Sequence, residues 1–397
     1  VKHHNERTVL IWMCVLIGVN QLGFGAIIPV LPLYAESFGV SQAAIGMTVA
    51  VYGVARLVIA LPSGRIADWL GRRSTLAIGG LVSGVGNLWC AYAASYDELV
   101  VARFVAGAGA GLTLTAGTIV LADITSIERR GRVMAIYQGV FLFAVGIGPF
   151  PGGYLAETFS LSTPFFAYSL ASFIAAAVGW WAVAETRPNI SRESDAEARP
   201  TYLTALRTIL MSRGFLLVGA ISFTGALVRT GGLFSIVPLV GTRQLSLTAT
   251  EIGFAMAIGS LLGVMITYPT GVMVDRLGRK TVIVPATIAT GFAFMLYSFA
   301  PSYIWFLAAC AVWGIASAAS GSAPAAYAAD IAPRENAATA MSAYRTISDA
   351  GYVIGPILLG VIADLFGMTT ALITASGMLI AIALLFAARA PETYRAG

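Results

Sequence analysis

Apolar residues in this chain come in long unbroken runs rather than at the i, i+3, i+4 spacing of a surface helix, and charged or Gly/Pro clusters interrupt them at regular intervals. A helix that is apolar all round is buried in protein or in lipid, and about 20 such residues cross a bilayer. The pattern predicts twelve helices, at about residues 8–34, 43–63, 75–95, 98–122, 132–157, 163–185, 214–240, 250–272, 281–300, 302–328, 338–366 and 369–389. The polar stretch from Glu185 to Arg213 divides them six and six. It predicts an N-terminal six-helix bundle over 1–185, a cytoplasmic linker over 186–213 with a short amphipathic helix near 202–211, and a C-terminal bundle over 214–397. The first run is too long for a signal-peptide core and ends in Pro-rich sequence, so it reads as a retained span.

Composition changes the picture by exclusion. Of 397 residues 58% are hydrophobic and 11% charged, against roughly 25% charged in a soluble protein, so the solvent is lipid and the chain is all-α and multi-pass. Cys14, Cys90 and Cys310 sit inside apolar runs, and His3 and His4 are adjacent near the start, which leaves no disulfide framework and no metal site. There is no GxxxxGK[ST] loop and no nucleophile set beside a base, so neither ATP-driven work nor enzyme catalysis is expected, and no cofactor. With the N-terminus inside, nineteen of the 24 Lys and Arg fall on the cytoplasmic side and only Arg243 outside. That asymmetry predicts cytoplasmic termini in a plasma membrane, the inner membrane of a bacterium, and it excludes nucleic acid as the partner of the basic residues.

Sliding the chain by 207 positions superimposes its halves without a gap. Ile45-Gly46 meets Ile252-Gly253, Pro62 meets Pro269, Gly64 meets Gly271, Asp68 meets Asp275, Gly71-Arg72 meets Gly278-Arg279, Asp123 meets Asp330, Tyr137 meets Tyr344, and Gly148-Pro149 meets Gly355-Pro356. Asp and Arg are rare here, so their coincidence marks an internal duplication: two six-helix bundles, expected about a pseudo-two-fold axis along the membrane normal with the pathway between them.

Both halves carry one loop signature. Gly64-x-x-x-Asp68-Trp69-x-Gly71-Arg72-Arg73 and its copy Gly271-x-x-x-Asp275-Arg276-x-Gly278-Arg279-Lys280 resemble the GxxxDRxGRR loop of the major facilitator superfamily, with Trp69 standing where the signature has Arg. Gly148-Pro149-x-x-Gly152-Gly153 is similar to the GPxxGG signature of the 12-span drug/proton antiporters of that superfamily, and Gly355-Pro356 repeats its core. Arg103 opens an Arg-x-x-x-Gly-x-Gly-x-Gly run resembling the family's intramembrane arginine motif, which is linked to proton transfer. The resemblance implies alternating access between two bundles, a proton gradient as the driving force, and a cytoplasmic gate built on the paired loops. It implies a monomer that exchanges a small-molecule substrate and protons across the bilayer.

An ionisable group in hydrocarbon costs roughly 2.5–3.5 kcal/mol on insertion scales, so each one is a candidate. The deep ones are Arg56, Arg103, Arg229, Arg345 and the acid Asp349; Asp123, Asp330, Glu36, Glu157 and Asp364 fall at span ends, as hydrated or capping groups. Asp349, Arg103 and Asp123 are the candidates for proton coupling. Asp349 is expected to pair with Arg56 of the other half or with Arg345 four residues before it, and to be released or protonated as the bundles move. Arg229 with Asn20, Gln21, Gln138, Phe141, Phe234, Trp313 and Tyr344 are the candidate cavity walls. Two functions follow: proton-coupled efflux of small amphiphilic compounds, or specific transport of an organic anion, sugar or lipid-like metabolite, which the arginine excess favours. A non-transporting receptor on the same fold has no added domain to support it.

Overall fold

The computed structural model describes residues 6–183, 185, 209–332 and 337–392, so the predicted linker and its short helix fall outside it up to position 208. Among the described residues, twelve helices are long and apolar enough to cross a membrane, as the run pattern predicts. The first part of the chain forms α1 (Glu6–Ile27), α2 (Leu31–Glu36), α3 (Gln42–Leu70), α4 (Arg72–Tyr92), α5 (Tyr96–Ile124), α6 (Ile127–Ile147), α7 (Pro149–Thr158) and α8 (Thr163–Trp181). The second forms α9 (Arg213–Val228), a π-helical segment (Arg229–Ile236), α10 (Val237–Leu245), α11 (Ala249–Leu277), α12 (Arg279–Ser298), α13 (Tyr303–Ile331), α14 (Ala337–Phe366) and α15 (Met368–Arg389).

Three predicted helices are interrupted, each where the sequence removes a backbone donor. The run expected over 8–34 breaks at residues 28–30 because Pro29 cannot continue α1, and α2 restarts with Pro32 in its first turn, where the missing N–H costs nothing. Gly148-Pro149 separates α6 from α7 within a single span. The span expected over 214–240 extends over Arg213–Leu245 and passes through the π-helical segment, just before Pro238, whose nitrogen has no proton to donate to the preceding turn. Helix starts follow local chemistry. Ser95 accepts from the Glu98 amide at the start of α5, and Thr248 and Glu251 cap each other's amides at the start of α11.

Contacts divide the chain into two units. Unit 1 comprises Val1–Val40, Met47–Ser191 and Leu247–Ala257, and unit 2 comprises Ser41–Gly46, Arg192–Ser246 and Ile258–Gly397. The first residues of α3 belong to unit 2 and those of α11 to unit 1. Carboxylates hold both exchanged segments. Asp364 accepts from the Gln42 and Ala43 amides at 2.7 and 2.9 Å within unit 2, and Glu157 accepts from the Thr250 amide at 3.2 Å within unit 1. Position 157 maps onto 364 under the 207 shift, so each acid caps the start of the exchanged helix.

The core of unit 1 gathers Met13, Leu16 and Ile17 of α1 around Leu76, Val120 and Tyr137. That of unit 2 gathers Phe215 and Val218 of α9 around Ile283, Tyr327 and Phe386. Lipid supplies no hydrophobic drive between helices, so small residues at crossings bring backbones close enough for dispersion to hold them.

Candidate functional site

The two signature loops form matching turns, one in each unit. Gly71 and Gly278 adopt φ of 92° and 97° immediately before α4 and α12, a conformation only glycine takes readily, which fixes glycine at these positions. In unit 1 the Arg72 guanidinium bonds Asp123 at 2.9 Å through Nε and Asp68 at 2.7 Å through Nη1, which also donates to the Ala67 carbonyl. In unit 2 Arg279 bonds Asp330 at 3.0 Å and donates to the Val274 carbonyl at 2.8 Å. Asp123, a candidate for proton coupling, is thus engaged by Arg72. Arg73 packs its guanidinium 4.6 Å from the Trp180 ring and donates to the Trp180 carbonyl. Arg276 is exposed, the Asp275 side chain falls outside the described residues, and Gly64 and Gly271 have open space where a Cβ would be.

Each turn has a further acid that motif reading passed over. Glu185 accepts from the Arg72 and Arg73 amides at 2.9 and 3.3 Å, and Glu392 accepts from the Arg279 amide at 3.2 Å. They supply the cap that Gly71 and Gly278 lack at the helix N-termini. The 207 shift superimposes Glu185 on Glu392, a signal already present in the sequence.

Arg103 lies inside unit 1 with 2% of its surface exposed. Its guanidinium stands 4.2 Å over the Tyr52 ring, Nε donates to the Thr48 carbonyl at 3.3 Å, and Nη1 has no hydrogen-bond partner among the described residues. The Tyr52 and Tyr168 hydroxyls meet at 3.3 Å. Asn20 and Gln21, expected on a cavity wall, are buried, and both amide atoms of Asn20 are unbonded among the described residues. Phe141 packs against the unit 1 core and Gln138 is exposed. Arg56 is half-buried where Gly111 of α5 crosses α3.

The antiporter-type motif is a packing device in both units. Gly148 and Gly152 lie against the α1 backbone at Gly25 and Ala26, while Gly355 lies against Leu227 of α9. A side chain at any of these glycines would meet main chain. The ion pair expected on α14 is present but loose. Arg345 and Asp349 stand 3.9 Å apart with side chains 76% and 38% exposed, so Asp349 is neither deeply buried nor tightly held. Arg56, its other expected partner, belongs to unit 1.

Unit 2 contains a cavity of about 180 Å³. It brings together three of the predicted wall residues, Arg229, Trp313 and Tyr344, and leaves Phe234 out of its lining. Arg229 opens the π-helical segment. Hydroxyls from Ser222, Thr287, Thr290, Ser317, Ser320 and Ser348 supply most of the remaining polar surface, and among the described residues no carboxylate lines it. Sequence reading missed these hydroxyls because Ser and Thr scattered through apolar spans carry no motif.

Proteins of known sequence and structure match most of the chain. An MFS-type transporter of Methanocaldococcus jannaschii is 24% identical over 91% of this chain and 92% of its own length. Multidrug resistance protein 2 of Bacillus subtilis is 25% identical over 70% of each. The crystal structure of the nucleoside transporter NupG superimposes with a TM-score of 0.80 at 13% identity, over 96% of this chain and 98% of that one, which shows a shared fold. The model of the Major Facilitator Superfamily matches residues 13–265 and 223–396, and the chain therefore belongs to that superfamily of membrane transporters.

Proposed function

We propose that this transporter is a proton-coupled exporter of small amphiphilic solutes working by alternating access. The unit 2 cavity carries the reading: it sets an indole and a phenol beside hydroxyls and one guanidinium, a surface that takes an apolar body with a polar end. The GPxxGG-type packing of α7 and α14 and the relative named for multidrug resistance support the direction of transport. Asp349 is the coupling acid in this scheme. It is held only loosely by Arg345, at 3.9 Å, and its side chain is partly exposed, so its partner can change as the helices move.

Purified protein in liposomes with an imposed pH gradient tests this directly. A fluorescent amphiphile should move against its own gradient only while the pH gradient lasts, and Asp349→Asn should lower that flux by about a hundredfold while leaving ligand binding intact. Undiminished gradient-driven flux by the variant removes Asp349 from the coupling role, and flux indifferent to the pH gradient removes coupling itself.

A further inference from the structure

We infer that the unit 2 cavity selects the head of its ligand by hydrogen-bond polarity: it takes a carboxylate that carries a hydroxyl beside it, and it discriminates against lipophilic cations. This deepens the transport reading and rests on it. The argument starts from where the wall protons go. A hydroxyl has one proton to donate and two lone pairs to accept with. Thr287 donates to the Ile283 carbonyl at 2.8 Å and Thr290 to that of Ala286 at 2.8 Å, both on α12. Ser317 and Ser320 of α13 donate to the Gly314 and Ala316 carbonyls at 3.1 and 3.0 Å. With their protons committed to their own helices, Thr287 and Ser317 offer the cavity acceptors, while the Thr290 and Ser320 hydroxyls also meet each other at 3.4 Å, where either can donate.

The lining residues of α9, the π-helical segment and α14 have the reverse character. Ser222 donates to the Tyr344 oxygen, which leaves the phenol proton of Tyr344 for another acceptor. Arg229 has only donors, and among the described residues it is the one charged side chain in the lining. A ligand that satisfies both sets presents an anionic acceptor to Arg229 and Tyr344 and a donor to the α12 and α13 hydroxyls, with apolar surface against Trp313. A hydroxy acid on a small apolar body meets all three demands. A lipophilic cation offers the hydroxyls no donor and meets the guanidinium as a like charge. The volume of about 180 Å³ lies below the ~300–1,000 Å³ of pockets that enclose drug-sized ligands, which suits a small solute or the head of a larger one.

The mandelate series isolates each demand: mandelate has both groups, phenylacetate lacks the hydroxyl, mandelamide lacks the charge, and tetraphenylphosphonium is the lipophilic cation. Binding to the full-length protein in detergent is measured by isothermal titration, and exchange in proteoliposomes by counterflow. Mandelate should bind at least tenfold more tightly than phenylacetate and mandelamide, and tetraphenylphosphonium should not displace it. Arg229→Gln should cost mandelate at least tenfold and leave mandelamide unchanged, whereas Thr287→Val with Ser317→Ala should reduce mandelate to the phenylacetate level and leave phenylacetate unchanged. Equal binding of mandelate and phenylacetate, or displacement by the phosphonium, overturns the assignment, and so does a mandelate affinity that neither variant alters. The predicted binding pattern without counterflow leaves the selection intact and sinks the transport reading. Gradient-driven flux of a cationic dye with mandelate inert does the reverse.

Discussion

The 207-residue shift places Tyr52, Arg103 and Gly107 of unit 1 on Gly259, Cys310 and Gly314 of unit 2, so one helix crossing can be compared in two chemistries. In unit 1 Gly107 of α5 meets the Tyr52 backbone of α3, and Arg103 one turn earlier lies over the Tyr52 ring. In unit 2 Gly314 of α13 meets the Gly259 backbone of α11, and the Cys310 thiol accepts from the Tyr297 hydroxyl at 3.1 Å. The close contact survives in both, but the charge is present in one alone. Since unit 2 closes the crossing without a cation, the architecture does not require Arg103, which favours a role for it in transport.

The largest effect expected from breaking that comparison is functional. Arg103→Met should lower gradient-driven flux by about a hundredfold, while Tm in detergent stays level or rises, because replacing a buried charge by an apolar side chain of similar volume is often neutral or stabilising. A fall in Tm with flux retained would reverse the assignment and make Arg103 a packing residue. The turns give the next contrast. Arg72 is 8% exposed and its partner Asp123 19%, whereas Arg279 is 18% exposed and its partner Asp330 34%. Because its ion pair is the more buried, Arg72→Ala should cost about 2–3 kcal/mol by denaturant titration, against about 1 kcal/mol or less for Arg279→Ala. Equal losses would show that exposure does not separate the turns. The smallest effect is expected at the distant caps, where Glu185→Gln should keep the acceptor, lose the charge at the start of α4, and lower Tm by about 1–2 °C.

Much of this was legible in the sequence because lipid imposes long apolar runs and duplication repeats rare residues. The twelve helices and the matched loops at Gly71 and Gly278 follow from those two facts. The Asp68–Arg72 contact follows from i, i+4 spacing, but the Asp123–Arg72 bond needs the packing of α4 on α5, which no local pattern encodes. The break at residues 28–30 could have been placed from Pro29 and Pro32, since hydropathy alone is blind to a lost backbone donor. Cavity hydroxyls such as Thr287 and Ser317 were silent for a related reason: a hydroxyl that bonds its own helix sits in an apolar span at little cost, and only the fold shows which face it shares. The grouping of Arg229 with Trp313 likewise joins two helices far apart in the chain, which only the fold brings to one cavity.

The exchanged helix starts bear on synthesis. A ribosome that has released the chain as far as Ser246 has made most of unit 1 but not Leu247–Ala257, which unit 1 includes, while Ser41–Gly46 has long been waiting for Asp364. Unit 1 therefore cannot be completed before Leu247–Ala257 has been made, and its Glu157 cap on Thr250 waits for that stretch, just as Ser41–Gly46 waits for Asp364. Two separately expressed halves, cut within the stretch between Glu185 and Ile209, would each remain incomplete until they met in the membrane.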